Sequence, residues 1–237
     1  MGENERHRSS AATALLLSVA VTAILYTIPY GNHLAWPLLL LSTLAHELGH
    51  GLTALLVGGS FDGFVLWSDA SGMAQYSGAF GRTARAAVSA GGLLGPAVFA
   101  ALLFLAGRNG YWSRCLLIAL GAGLLLAEVL VVRNLFGWIF VGAVAVTLLA
   151  IGFKASGAAV QFTAVFLATQ LSLSVFSRGD YLFTSTARTA QGSAPSDVAQ
   201  ISEALIAPYW FWGALIGTLS ALILCLGLWS FLRAQRP

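Results

Sequence analysis

Charged residues are scarce in this 237-residue chain: Asp, Glu, Lys and Arg make up 9% of it, against about 25% in ordinary soluble domains. Hydrophobic residues account for 58% and fall into runs of the length, about 20 residues, that crosses a bilayer as a helix. The twelve basic residues stand singly or in pairs, so no basic stripe supports nucleic-acid binding. These features predict a multi-pass integral membrane protein surrounded by the lipid bilayer.

Cysteine is also nearly absent. Cys115 and Cys225 both fall in apolar runs, and the chain contains no C-x-x-C pair. This excludes a disulfide framework and a cysteine-based metal site, and we expect both residues to be small buried side chains.

The apolar runs predict an all-α polytopic fold. Because the fourth and fifth runs are separated only by Arg133 and Asn134, we expect six or seven transmembrane helices. They would form a single domain over residues 11–233, after a polar N-terminal tail at residues 1–10. The predicted spans lie near 11–29, 34–57, 83–106, 112–132, 135–153, 158–178 and 205–231.

Two segments do not resemble spans. Residues 58–81 alternate apolar and polar side chains, break at a polar turn over 68–72 and then alternate again, which predicts a β-hairpin after helix two. Residues 178–202 are polar and carry turn signals at Gly192-Ser193 and Pro195-Ser196, which predicts a loop. Four predicted helices separate the two segments, and an even number of crossings places both segments on the same side of the membrane.

The second predicted helix contains the H-E-x-x-H pentad His46-Glu47-Leu48-Gly49-His50. Histidines four positions apart share one helical face and can bind a single Zn²⁺ ion, with Glu47 placed to take a proton from a water at the metal. Alternatively, the histidines pack between helices and the glutamate is coincidental. Each ionisable group in a membrane span costs a few kcal/mol, and this favours the metal site.

A catalytic zinc site needs a third protein ligand in addition to the two histidines. We favour Asp180, which lies at the end of helix six on the side of the membrane nearest His50. The alternative for Asp180 is an interfacial pair with Arg178. Asp197 is the next candidate, although its favoured role is to cap a helix that starts near residue 198.

Glu128 lies deep in the fourth span and is a third candidate ligand. Pairing with a polar partner such as Arg133 is its favoured role, ahead of supporting a ligand histidine or binding metal directly. Arg133 and Asn134 form a polar break that could stabilise an oxyanion or orient substrate, or simply make an interfacial turn. Gly91 and Gly95 have the spacing of helix-packing residues.

Several segments together resemble the small site-2-protease-like membrane metallopeptidases (peptidase family M-fifty, B-like). The similar segments are the pentad 46–50, the double glycine 58–59, the hairpin turn 69–73, the glycine-rich stretch 89–96, the polar break 133–137, the Ser-Asp pair 196–197 and the Pro-Tyr-Trp run 208–210. The pentad is the most specific of them, and the likeness covers roughly residues 40–215.

The resemblance implies that zinc-activated water cleaves transmembrane segments of membrane-protein or peptide substrates. It assigns His46 and His50 as ligands and Glu47 as general base, and it implies an aspartate ligand from a later helix. The Asn-Pro-Asp-Gly or Leu-Asp-Gly motif of better-known branches is absent, so Asp180 is assigned by its position. The expected location is a bacterial-type plasma membrane.

Two other functions compete with a protease. A non-catalytic protein of the same fold could act as a membrane chaperone or a metal buffer, but such a protein has no need of Glu47. A transporter would use intramembrane acids and histidines, and it predicts pseudo-symmetric halves that the sequence does not show.

Overall fold

The computed structural model describes residues 3–177, 179–190 and 192–234. Eight α-helices, a short 3₁₀ helix and two β-hairpins make up this part of the chain. The helices are α1 Glu3–Thr27, α2 Gly31–Leu56, α3 Arg82–Ala106, α4 Gly110–Val131, α5 Leu135–Lys154, α6 Gly157–Ser177, α7 Asp197–Ala204 and α8 Tyr209–Arg233, with the 3₁₀ helix at Gly179–Phe183. The strands are β1 Ser60–Leu66, β2 Gly72–Ser77, β3 Thr186–Thr189 and β4 Gly192–Pro195.

Five of the described helices, α3, α4, α5, α6 and α8, are long and apolar enough to cross a membrane. The prediction of a mainly helical multi-pass membrane protein with a small antiparallel hairpin is therefore confirmed. Helix α1 begins at Glu3, within the segment predicted to be a polar tail, and its apolar part is the shorter stretch Ala11–Leu25. The prediction for the cysteines is wrong: Cys115 and Cys225 are exposed, because they lie on the outward faces of α4 and α8.

Helices α2 and α3 pack closely because small residues line their contact. A Cβ atom added to Gly49 would collide with the carbonyl oxygen of Gly91. One added to Gly95 would lie 2.5 Å from the carbonyl oxygen of Ala45. The packing role predicted for Gly91 and Gly95 is thus confirmed, and it brings the H-E-x-x-H helix against α3.

The hairpin β1–β2 is fixed along one edge by the chain between α4 and α5. The Arg133 N–H donates to the Phe64 carbonyl oxygen at 2.9 Å. The Asn134 side chain donates to the carbonyl oxygen of Leu66 at 2.7 Å and accepts from its N–H at 3.2 Å. Both strands of the hairpin also lie against α2, where the site forms.

A second antiparallel hairpin, β3–β4, occupies part of the segment predicted to be a loop. It leads directly into α7, whose N-cap is Ser196: the Ser196 hydroxyl accepts the Ala199 N–H at 3.2 Å. The capping role predicted for Asp197 is therefore wrong, because Ser196 fills it and the Asp197 side chain points elsewhere. At the other end of α7, the Arg82 guanidinium donates to the Ala204 carbonyl oxygen at 2.7 Å and ties the helix to the start of α3.

Candidate metal centre

Three side chains from two distant parts of the sequence converge beside α2. The Nε2 atoms of His46 and His50 are 3.1 Å apart. One carboxylate oxygen of Asp197 lies 3.1 Å from His46 Nε2, and the other lies 3.4 Å from His50 Nε2. His50 and Asp197 are almost fully buried, at 6% and 5% exposed. The α-helical spacing of the histidines and the N-terminal position of Asp197 on α7 place these three groups together.

The spacing of these atoms fits a metal ion. In a tetrahedral zinc site, with ligand atoms about 2.0–2.1 Å from the metal, neighbouring ligand atoms lie about 3.3 Å apart. The three separations measured here lie on either side of that value, and two imidazoles with one carboxylate are a donor set that zinc accepts. His46, His50 and Asp197 form the group within the described residues that could hold a metal ion.

The His50 ring is held in the orientation that a metal ligand needs. Its Nδ1 atom lies 2.9 Å from the carbonyl oxygen of Val88 on α3. A carbonyl oxygen can only accept, so Nδ1 carries a proton and Nε2 is the ring nitrogen that faces the cluster, where it can bind a metal ion once its own proton is lost. Gly92, one turn further along α3, leaves the space that the His50 ring occupies, since a Cβ atom there would collide with the ring.

Asp197 is held as a carboxylate by its neighbours. Burial alone would raise the pKa of Asp197, but charge interaction with His50 and hydrogen bonds from both histidines outweigh this effect and keep the pKa below its usual range. The Tyr181 hydroxyl donates a further hydrogen bond, at 3.2 Å, to the carboxylate oxygen nearest His46. The buried Asp197 carboxylate faces the two imidazoles, and these three groups together are suited to binding a cation.

Glu47 lies next to the cluster and under the hairpin. It is 4% exposed, interacts electrostatically with the two histidines and Asp197, and accepts a hydrogen bond from the Ala74 N–H of β2. Gly72, at the start of β2, fits closely over it: a Cβ atom added there would lie 2.7 Å from the Glu47 carboxylate. The hairpin therefore covers the glutamate while leaving it beside the two histidines.

A cavity of about 410 Å³ opens from this cluster. His46 and Glu47 line it, together with the β1–β2 turn at residues 69–72 and residues 187–189 of β3. The two hairpins touch above it, where the Ala190 N–H donates to the Ser71 hydroxyl at 3.3 Å. This volume lies within the range of about 300–1,000 Å³ that is typical of ligand sites.

The structure brings together His46, Glu47 and His50 as the pentad suggests. Asp180 belongs to the 3₁₀ helix, but its side chain lies outside the described residues. Asp197 is the carboxylate that meets both histidines. The adjacent pair Ser196-Asp197 was the sequence signal for this ligand. Serine is as good an N-cap as aspartate, so when Ser196 caps the helix the Asp197 carboxylate is free to bind a metal ion.

Glu128 is not part of the cluster. It is buried in α4 against Gly142 of α5, where an added Cβ atom would lie 2.9 Å from its carboxylate. Its suggested partner Arg133 instead donates to the Asp62 carbonyl oxygen, at 3.0 and 2.7 Å. Arg133 and Asn134 thus secure the hairpin, and neither of them lines the cavity.

Comparison with known proteins agrees with this arrangement. A family model described as Peptidase M50B-like matches residues 16–227, which include both histidines, Glu47 and Asp197. Searches of curated proteins and of solved structures give no significant match. Because the matched region covers most of the sequence, the chain belongs to the Peptidase M50B-like family and is, at the level of that family, a membrane peptidase.

Proposed function

We propose that the protein is an intramembrane zinc metalloprotease that hydrolyses peptide bonds in or near the transmembrane segments of other membrane proteins. His46, His50 and Asp197 are the zinc ligands in this proposal, and Glu47 is the general base. The observation that carries it is the convergence of the two histidines and Asp197 at 3.1–3.4 Å, beside a buried glutamate. Asp197 takes the role that the sequence analysis gave to Asp180.

When bound, zinc would supply a Lewis acid that polarises the substrate carbonyl group and makes a nearby water more acidic. Glu47 accepts one proton from that water as its oxygen adds to the carbonyl carbon. The carbon–nitrogen bond then breaks, and Glu47 returns the proton to the departing amine. Val88 and Tyr181 keep His50 and Asp197 oriented while this happens, because each holds one atom of a ligand side chain.

Strand β2 is placed to hold the substrate in an extended form. It pairs with β1 on one side only, and the Ala74 N–H on its other side points towards Glu47. A peptide added along this edge would run past the general base. The substrate must be unwound first, because the carbonyl groups of a helix are already hydrogen-bonded.

The proposed membrane topology adds two spans to the five described above. We propose that α1 and α2 also cross, which gives seven spans and places the metal centre within the bilayer. Helix α2 has 26 residues and is about 39 Å long, enough to cross although it carries the pentad. The expected location remains a bacterial-type plasma membrane.

A non-catalytic protein of the same family, acting as a membrane chaperone or a metal buffer, is the alternative. Metal retention would need the histidines and Asp197 but not Glu47. The burial of Glu47 beside the cluster therefore favours the protease, since a buried carboxylate is expensive unless it has a function there.

The test compares the wild type with Glu47→Gln and Glu128→Gln, purified in detergent. Both substitutions remove a buried intramembrane carboxylate, but only the first removes the proposed base. We expect about one zinc per chain in all three by elemental analysis. Cleavage of a transmembrane model substrate should persist in Glu128→Gln and fall at least about 100-fold in Glu47→Gln. Equal cleavage by Glu47→Gln, or wild type without zinc, would overturn the proposal.

A further inference from the structure

Three serines from different helices line the cavity: Ser42 on α2, Ser174 on α6 and Ser220 on α8. We call these three residues the hydroxyl chamber. All are buried, at 3%, 8% and 1% exposed. Apolar Leu93 and Pro96 of α3 line the same cavity. Hydroxyls that line a cavity can each donate and accept a hydrogen bond with a bound ligand.

Two of the hydroxyls already donate within the protein. Ser42 donates to the Ser174 oxygen at 2.7 Å, and Ser174 donates to the carbonyl oxygen of Leu171, also at 2.7 Å. These bonds join α2 to α6 and fix both side chains. Neither bond involves the hydroxyl of Ser220.

Ser220 has no hydrogen-bond partner in the part of the chain that the structure describes. The contrast with Thr218 on the same helix is informative, because Thr218 donates to the Ala214 carbonyl oxygen one turn earlier, at 2.8 Å. Helical serines and threonines commonly satisfy themselves in this way. Ser220 instead faces the cavity, where its donor and its acceptor are both available to a ligand.

The chamber is close enough to the metal centre to contact a substrate residue near the bond that is cut. Ser42 precedes His46 by four residues on α2, so it lies on the same face about 6 Å along the axis. An extended peptide advances about 3.3 Å per residue. A side chain one or two positions from the hydrolysed bond therefore reaches the chamber.

We propose that the hydroxyl chamber is a substrate subsite that selects a serine or threonine near the scissile bond, and that Ser220 determines this specificity. The proposal rests on the protease function above. A substrate hydroxyl can accept a hydrogen bond from Ser220 or donate one to it, while the apolar walls receive a threonine methyl group. Valine has the same shape as threonine but leaves Ser220 buried without a partner.

Binding can be measured without cleavage in the Glu47→Gln background. The probes are two fluorescent apolar peptides of about 20 residues, one with a single central threonine and its twin with valine there. We expect the zinc-loaded protein to bind the threonine peptide about tenfold more tightly by fluorescence anisotropy in detergent. Adding Ser220→Ala should reduce this ratio to within about twofold. Adding Thr218→Ala, which removes a hydroxyl already bonded to its own helix, should leave the ratio unchanged.

Equal affinity for the two peptides would overturn the proposal, and so would a preference for threonine that survives Ser220→Ala. Binding of neither peptide would overturn it as well. If the hydroxyl chamber holds only water, the threonine and valine peptides should bind with equal affinity. Zinc content and melting temperature should match across the variants, which excludes a structural effect of Ser220. Since cleavage by the wild type is a separate measurement, a protein that discriminates the peptides but cuts neither would overturn the protease function alone.

Discussion

Asp197 is the residue on which the proposed metal site depends most. It supplies the only carboxylate among the described residues that meets both histidines, and the Tyr181 hydroxyl fixes one of its oxygens. With Asp197 removed, two imidazoles from one helix remain. Two protein ligands leave a zinc site incomplete, because catalytic sites use three protein ligands and water.

We therefore expect Asp197→Ala to weaken zinc binding by more than about 100-fold, as judged by competition with a chelator of known affinity. The matched comparison is Asp180→Ala, at the position assigned from sequence. Asp180→Ala should retain zinc at the wild-type affinity. The reverse result, with zinc lost only from Asp180→Ala, would restore the assignment made from the sequence and remove Asp197 from the ligand set.

At the scale of elements, the site depends on how closely α3 approaches α2. Gly92 has no side chain where the His50 ring lies, and Val88 on the same helix accepts the ring N–H. The glycines of α3 thus do more than allow packing, because Gly92 leaves the space for His50, one of the proposed ligands.

Gly92→Ala adds only one methyl group, but we expect it to disrupt the metal site. The added methyl group collides with the His50 ring, so the ring or the helix must move, and we expect loss of zinc and about 1–3 kcal/mol of destabilisation. Gly123→Ala is the matched control: it lies in the middle of α4, and its added Cβ atom would meet nothing within 4 Å. It should retain zinc and gain slightly in stability. Zinc binding by Gly92→Ala at the wild-type level would contradict this role.

The elements differ in how far the sequence predicts them. Long apolar runs predict α3, α4, α5, α6 and α8 to within a few residues, because spanning a bilayer imposes length and composition. The hairpin β3–β4 does not follow from the sequence, since its strands have four residues each and are mostly exposed. Its pairing depends on contacts with the rest of the molecule. The exposed cysteines have the same cause: an apolar run does not tell which face meets lipid.

The candidate site, too, is predicted by the sequence only in part. H-E-x-x-H predicts two ligands and a base because helical geometry alone brings them together. The proposed third ligand, Asp197, comes from α7, whose position is set by the Arg82 contact and by packing on α3 and α8. No local pattern encodes that approach. That the Ser220 hydroxyl has no partner among the described residues is likewise visible only once the neighbouring helices are in place.

At the scale of the whole molecule, the metal centre joins two halves of the chain. His46 and His50 lie in the second helix, whereas Asp197 follows the last hairpin, just before the final helix. An ion bound to all three would hold α7 and the β3–β4 hairpin against α2. Ligand binding to the folded state alone stabilises it by about 2.7 kcal/mol when the free ligand exceeds its dissociation constant 100-fold.

Removal of zinc by a chelator should therefore lower the melting temperature of the wild type by about 5 °C or more, and added zinc should restore it. Glu47→Gln keeps all three ligands and should show the same shift, although it is inactive. Asp197→Ala should melt at one temperature with and without zinc, because the ion no longer connects α7 to α2. A zinc-dependent shift of wild-type size in Asp197→Ala would show that the metal binds elsewhere. Thermal unfolding followed by tryptophan fluorescence is suited to the measurement, because Trp212 of α8 packs in the apolar cluster formed by α3, α7 and α8.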